Sequence, residues 1–550
     1  MTAGAIDFGK ERRPAVLDRV LSMRINVTWE MLLYAAIFAA AFGLRFWDLG
    51  ARALHHDESI HAQWSWGLLQ GSYKHDPIFH GPFYYHVQAL VFLIFGASDY
   101  TARVSAALFG SALVALPLLL RRRFGAVGTM AAVAFLAFSP TLVYFSRFFR
   151  EDIYMAFFTM AMVVAMWRYV AEGRDRWLIL FALAFTGSMT TKEATYLTCA
   201  VFLVFLSVHT GVELARDYLE SREMNQGWRR LLLGMALAPV AWAIVALWPF
   251  FRTIRKRLGW ETLPRPGDVL VLLGTIILPL LSAFLKSPLE HAGIVAKGRL
   301  TCTPDMPTND IIAVGGLFMA MTSAAAFVGL QWRARTWAIA FAASAFVYLT
   351  LMTSLWTNMS GLCTGPWGSL DYWLSQQGFA RGNQPWFYYD MLMPAYEFLT
   401  LGIVIGGLWW SVVRGNAFSR FLVTWLAGVW IALSMAGEKM PWLNTHLALP
   451  SALLAAWTVN RAWQAWDPKP NPRNAVTALL AVAAISAGAV IVAVFLPGGG
   501  MAVAVVRLVF LLGLAGFAAF VIHRLERRAL ASVAVAVFIG AMAFFSLRTM

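Results

Sequence analysis

A chain of 550 residues that is 59% hydrophobic and 13% charged falls well below the roughly 25% charged residues usual in soluble domains. Apolar runs close to the roughly 20 residues needed to cross a bilayer recur from Met31 to Phe545 with short polar breaks, which excludes a conventional soluble domain. The net charge of +15 would suggest nucleic acid in a soluble protein, but much of it lies in short loops such as Arg121 to Arg123, where positive-inside topology accounts for it without a nucleic-acid partner.

Residues 1–28 are polar and basic (Lys10, Arg12, Arg13, Arg19, Arg24), and no small-residue cleavage site closes the apolar run after them. They read as a cytoplasmic N-terminus before a retained anchor, and residues 29–550 as one integral, all-α transmembrane bundle. The first span is expected from Met31 to Trp47, followed by a His- and aromatic-rich outer loop over 49–102. Within that loop Phe83 to Phe95 is apolar but short, so it is expected to lie at the membrane interface. Val104 to Leu120, Val127 to Phe145, Ile153 to Val170, Trp177 to Thr190 and Ala194 to Val208 then alternate across the membrane, with Ser146 to Asp152 and Lys192-Glu193 at outer turns.

Leu231 to Phe250 is span-like, but the stretches on both sides are basic, so one is misplaced or the run is re-entrant. Order resumes with Val269 to Leu285, Ile311 to Leu330 and Trp337 to Leu355, turning at Arg333 to Arg335, and leads to an aromatic outer loop over 356–390. Runs near 391–412, 420–435 and 446–463 follow, and then the C-terminal spans of 465–550, for about 15 spans besides the doubtful one. Cys302 and Cys363 both fall in loops placed outside, where they can bridge or remain free.

Chemistry gathers on the outer side. In His55-His56-Asp57-Glu58-Ser59-Ile60-His61, neighbouring positions on a helix diverge by roughly 100°, so Asp57 and Glu58 cannot address one atom. One of them suits a general base for a hydroxyl; the alternative is a solvated interfacial loop. Six of the ten histidines (55, 56, 61, 75, 80 and 86) crowd this first loop, so a divalent metal held by His61, His80 and Glu58 is chemically admissible, although no zinc-type spacing is present.

Arg147, Arg150, Glu151 and Asp152 occupy the second outer loop, either as an anion site or as paired, snorkelling charges. Lys192 in its tight hairpin, Lys439 in Gly437-Glu438-Lys439-Met440-Pro441-Trp442, and Arg381 complete a set of cations for a lipid phosphate; structural pairing or interfacial anchoring is the alternative. Trp367, Tyr372, Trp373, Trp386, Tyr388 and Tyr389 could stack on sugar rings or form an aromatic belt. Together these groups suit transfer from a phosphate-bearing lipid, the cations stabilising the leaving phosphate and a carboxylate activating the acceptor hydroxyl.

Asp57-Glu58 after the first span, Gly81 to Leu90, Thr101 to Gly110, Arg122-Arg123-Phe124-Gly125, Ser146-Arg147 with Asp152, Thr190-Thr191-Lys192, and Ser434 with Lys439 and Pro450 resemble the membrane glycosyltransferases of the GT-C superfamily. That superfamily includes the protein O-mannosyltransferases and the aminoarabinose transferase of lipid A. Tyr372 to Gln377 and Gln384 to Tyr389 are similar to a bacterial and archaeal subgroup named for its association with lipid-linked sugar flipping in archaeal N-glycosylation.

The resemblance implies an inner-membrane enzyme with its site on the non-cytoplasmic face. Its donor would be a polyprenyl-phosphate sugar, its acceptor a glycan, lipid or protein, and its reaction an inverting displacement. It further implies Asp57 as base, Asp152 as a second essential acid with Glu58 and Glu151 in support, and Lys192, Lys439, Arg147, Arg150 and Arg381 beside the donor phosphate. In the aminoarabinose transferase, a glutamate at the position of His80 and a histidine at that of Gln376 bind a metal, so this sequence departs from that pair. The competing reading is a non-catalytic membrane protein that binds, hands over or helps flip lipid-linked sugars.

Overall fold

The structure, a computed structural model, describes residues 28–221, 263–295, 302, 306–378 and 382–465. The N-terminal basic segment, the ambiguous run at 231–250, Arg381 and the spans expected beyond 465 lie outside the described residues. The regular structure within them is helical throughout. Eight helical stretches among them are long and apolar enough to cross a membrane, so the expectation of about 15 spans is not confirmed. The protein is an integral membrane protein of the all-α class.

Helix α1 (Trp29–Phe46) is the first span, N-capped by the Thr28 side chain accepting from the Met31 amide. Helix α2 (His56–Leu69) and the short apolar helix α3 (Phe83–Phe95) occupy the loop after it. Two spans merge in the stretch formed by α4 (Thr101–Ala115), a 3₁₀ turn (Leu116–Leu120) and α5 (Arg121–Phe138). The expected basic turn falls there, at Gly125, whose φ of 75° lies in the left-handed region open to glycine. Helix α6 (Pro140–Ser146) then leads into the second loop, and α7 (Asp152–Glu172) and α8 (Asp175–Met189) pack as a hairpin before α9 (Thr195–Ser221).

Further on, α10 (Arg265–Ile277) and α11 (Lys286–His291) flank a 3₁₀ segment. Helix α12 (Thr308–Met352) breaks at Arg333, again at an expected basic turn. The aromatic segment contains α13 (Ser369–Gln376) and is tied back by a Cys302–Cys363 disulfide with Cα atoms 5.6 Å apart and by Lys286 paired with Asp371. Last come α14 (Tyr388–Arg414), α15 (Ala417–Met435) and α16 (Thr445–Gln464).

Helix α16 is the axis of the bundle, surrounded by α5, α14 and α15, with Leu447, Ala448, Leu453, Ala455 and Trp457 buried. It is less apolar than a lipid-facing span because it meets protein on every side, and its small residues let neighbours approach. In a membrane such close packing, rather than hydrophobic exclusion, drives helix association. Gly128 on α5 is an example: a Cβ built there would lie 2.8 Å from the Asn460 Cβ and 3.1 Å from the Ala456 carbonyl. Gly128→Leu should therefore destabilise the bundle by about 1–3 kcal/mol, read as a lowered thermal unfolding midpoint in detergent.

Candidate functional site

Four chain segments meet at one end of the bundle. The first is the N-terminus of α2, where the His55 side chain accepts from the Asp57 amide and Glu58 reaches back to the His55 amide, a reciprocal cap. Asp57 and Glu58 both sit in the first turn, where the helix dipole favours anions, and they point to different partners.

Glu58 is 1% exposed and accepts from Arg103 Nε and Nη2, both at 2.7 Å, and from the Phe149 amide at 2.9 Å. Burial pushes its pKa up, but the Arg103 bonds and the His55 and Phe149 amides outweigh this and hold it below the usual range. Glu58 thus pins α2 to α4 and to the second loop. The Asp57 side chain keeps 26% of its exposure and pairs with Arg150.

The second segment is the loop into α7. Glu151 and Asp152 are both buried, and Lys192 Nζ, from the turn after α8, donates to Glu151 at 2.9 Å and to Asp152 at 2.8 Å. Arg150 lies 3.2 Å from Glu151 and 3.4 Å from Asp152. Burial opposes ionisation of Glu151, yet Arg150, Lys192, His80 and His61 hold its pKa well below the ordinary value. The same carboxylates outweigh burial and raise the Lys192 and Arg150 pKa values. The result is an ionised lattice of acids and bases.

The third segment is the turn before α3. The Gly81 and Phe83 amides bond the Thr191 and Thr190 carbonyls, and a Cβ at Gly81 would stand 2.1 Å from the Thr190 oxygen, so a side chain there would separate the two turns. Their contact brings His80 Nδ1 to 2.8 Å from Glu193 and His80 Nε2 to 3.4 Å from Glu151. Burial lowers the His80 pKa, but Glu151 and Glu193 overcome it and raise the value. The fourth segment is the start of α16 and the turn before it: His446 Nε2, in the first turn of α16, donates to Asp152 Oδ1 at 3.0 Å, and the Trp442 ring lies 3.6 Å beneath the Arg150 guanidinium.

Asp57, Arg150, Glu151, Asp152 and Lys192 are therefore brought together, joined by His61 and His80. Arg147 is not among them: its guanidinium donates to the carbonyls of Leu44, Trp47 and Asp48 at the end of α1. Lys439 donates to the Ala436 carbonyl, within the turn that carries Trp442. The metal set His61, His80 and Glu58 is not assembled, because Arg103 and two amides occupy Glu58; the carboxylate facing both imidazoles is Glu151, with His61 Nε2 3.7 Å away. Glu151 is itself engaged by Lys192 and Arg150, and among the described residues no group of three or more His, Cys, Asp or Glu side chains is arranged to hold a metal.

Of the aromatic-segment rings, Trp367 and Tyr389 are buried in the core while Trp386 is 70% exposed. The sequence reading does not single out Arg103, His446 or Trp442. The available signal was a charged or polar residue next to an apolar run, which is costly there unless partnered.

Residues 79–219 match the family described as dolichyl-phosphate-mannose-protein mannosyltransferase, a segment that contains His80, Arg103, Arg150, Glu151, Asp152 and Lys192. The resemblance to membrane glycosyltransferases is met over this segment. No curated protein matches the chain.

The chain is similar in structure to ArnT from Cupriavidus metallidurans bound to undecaprenyl phosphate, with 14% identity and a TM-score of 0.46 over 94% of this chain and 77% of that one. It is also similar to the Archaeoglobus fulgidus oligosaccharyltransferase tethered with an acceptor peptide, with 11% identity and a TM-score of 0.46. That match covers 80% of this chain and 50% of the oligosaccharyltransferase. The same archaeal enzyme in complex with Zn and sulfate matches with 12% identity and a TM-score of 0.44, over 79% of this chain and 49% of that one.

Two outcomes follow from the geometry. Glu58→Ala leaves Arg103 buried without its counter-ion, which should cost about 3–5 kcal/mol, whereas Asp57→Asn at the partly exposed neighbour should change the unfolding midpoint little. Burial also drives the His75 pKa from 6.5 to about 4, its Nδ1 lying 2.8 Å from the Thr364 hydroxyl. As pH falls below 6.5 the unfolded chain takes up a proton that the folded chain refuses until about 4, so this contribution is present above that window and lost on acidification through it. His75→Gln should flatten that slope in thermal unfolding measured from neutral to acid pH.

Proposed function

We propose that the protein is a glycosyltransferase that moves a sugar from a polyprenyl-phosphate donor to an acceptor hydroxyl on the non-cytoplasmic face of the inner membrane. The observation that carries this reading is the difference between the clustered carboxylates. Glu58, Glu151 and Asp152 are enclosed and paired with cations, while Asp57 alone of the four keeps partial exposure beside Arg150. A base must reach its proton, and only an accessible carboxylate can.

In this scheme Asp57 takes the proton of the acceptor hydroxyl as its oxygen attacks the anomeric carbon. The bond from that carbon to the phosphate oxygen breaks on the opposite side, inverting the configuration, and the phosphate leaves with the electron pair. Arg150 orients Asp57, and with Lys192 it supplies positive potential for the phosphate. Asp152 acts through others: it is enclosed by Lys192, His446 and Arg150, so it positions these cations instead of meeting substrate. Glu151 holds Lys192 from the other side. Lys439, on the turn that carries Trp442, is a further phosphate-side cation in this scheme. No step here passes through a metal.

In proteoliposomes charged with a polyprenyl-phosphate sugar, Asp57→Asn should lower transfer by at least about 100-fold while leaving donor binding largely intact. Unchanged turnover would refute the assignment of Asp57 as base and favour a protein that only binds or hands over the lipid-linked sugar.

A further inference from the structure

A polar cavity of about 300 Å³ opens at the C-terminal end of α1 and is lined by Trp47, Asp48, Leu49, Arg52, Arg103 and Arg147. Its charges do not cancel. Arg103 is matched by Glu58, and Asp48 offsets one more guanidinium, which leaves one of the three arginines without an acidic counterpart in the cavity.

Arg147 is 7% exposed, meets backbone carbonyls instead of a carboxylate, and its Nε has no hydrogen-bond partner among the described residues. Burial pushes its pKa down, and Arg52 and Arg103 add to this against the opposing Asp48 carboxylate. Arg52 is exposed at the mouth, its guanidinium 5.5 Å from the Tyr144 ring centre. None of the lining residues bonds to Glu151, Asp152 or Lys192 among the described contacts, so this cavity is distinct from the acid cluster.

We propose that this cavity is an anion-binding site for a phosphate monoester, held by Arg52 and Arg147 with Arg103 behind them. A guanidinium offers forked donors that match phosphate oxygens, and an unpartnered buried N–H is satisfied by such a ligand. The group is either the headgroup of a lipid or a free phosphate, since both present the same oxygens. The Glu58–Arg103 pair joins the two sites: Arg103 lines the cavity, and the residue before Glu58 is Asp57.

The test uses the full chain in detergent and phosphate-free buffer, titrated with inorganic phosphate and, separately, with micelles containing phosphatidic acid or phosphatidylcholine. Saturable binding is expected for phosphate or phosphatidic acid, and Arg52→Glu should weaken it at least about tenfold. Arg52 is exposed, so this variant is expected to fold; Arg147→Gln, checked for its unfolding midpoint, should weaken binding similarly. Arg420→Glu, at an exposed arginine on α15 outside the cavity lining, should leave binding intact.

Tighter binding of phosphatidic acid than of phosphate would identify a lipid headgroup, and equal binding a free phosphate; both support the site. Binding that is absent, that is unaffected by Arg52→Glu, or that Arg420→Glu weakens equally would overturn the proposal.

Discussion

Two adjacent carboxylates buried inside an apolar bundle demand compensation, and the way Glu151 and Asp152 obtain it organises this end of the molecule. Each carries a charge that burial would extinguish if it stood alone. Lys192 bridges both, Arg150 reaches both, His80 faces one and His446 donates to the other. These partners come from the second loop, the turn after α8, the turn before α3 and the first turn of α16. Four distant stretches of chain therefore meet at the pair, Lys192 and Arg150 matching its charge and His80 and His446 adding further contacts.

The same requirement orders the neighbourhood. Arg150 is drawn inward by Glu151 and Asp152 and rests on Trp442, and from there it still pairs with Asp57 at the edge. Glu58 takes no part in that lattice; it serves as a fastening between α2, α4 and the second loop. The two residues differ in role because consecutive helical positions diverge, so one turn of helix carries a buried fastener and a partly exposed candidate base side by side. A comparable division separates the arginines: Arg150 belongs to the acid cluster, while Arg147, three residues earlier, caps the end of α1 and lines the polar cavity there.

Much of this was legible in advance, and for local reasons. The short helix Phe83–Phe95 has the predicted bounds because its apolar run is bracketed by Gly81-Pro82 and by Gly96. The breaks at Gly125 and Arg333 coincide with basic turns because such charges stay at the membrane surface. The divergence of Asp57 from Glu58 follows from helix geometry alone. Less legible were Arg103 and His446, because a single polar residue beside an apolar run gives no sign of which carboxylate, tens or hundreds of residues away, will answer it.

The sequence by itself determined the solvent, the helical class, several of the turns and the chemical types available at one end of the bundle. Each of these depends on composition or on spacing within a few residues. Only the tertiary structure decided the pairings: that Glu58 answers Arg103 and not His61 and His80, that Lys192 lies between Glu151 and Asp152, and that Cys302 meets Cys363. Electrostatic partnership depends on distance in space, and when helices cross a membrane many times that distance is set by which helices pack together.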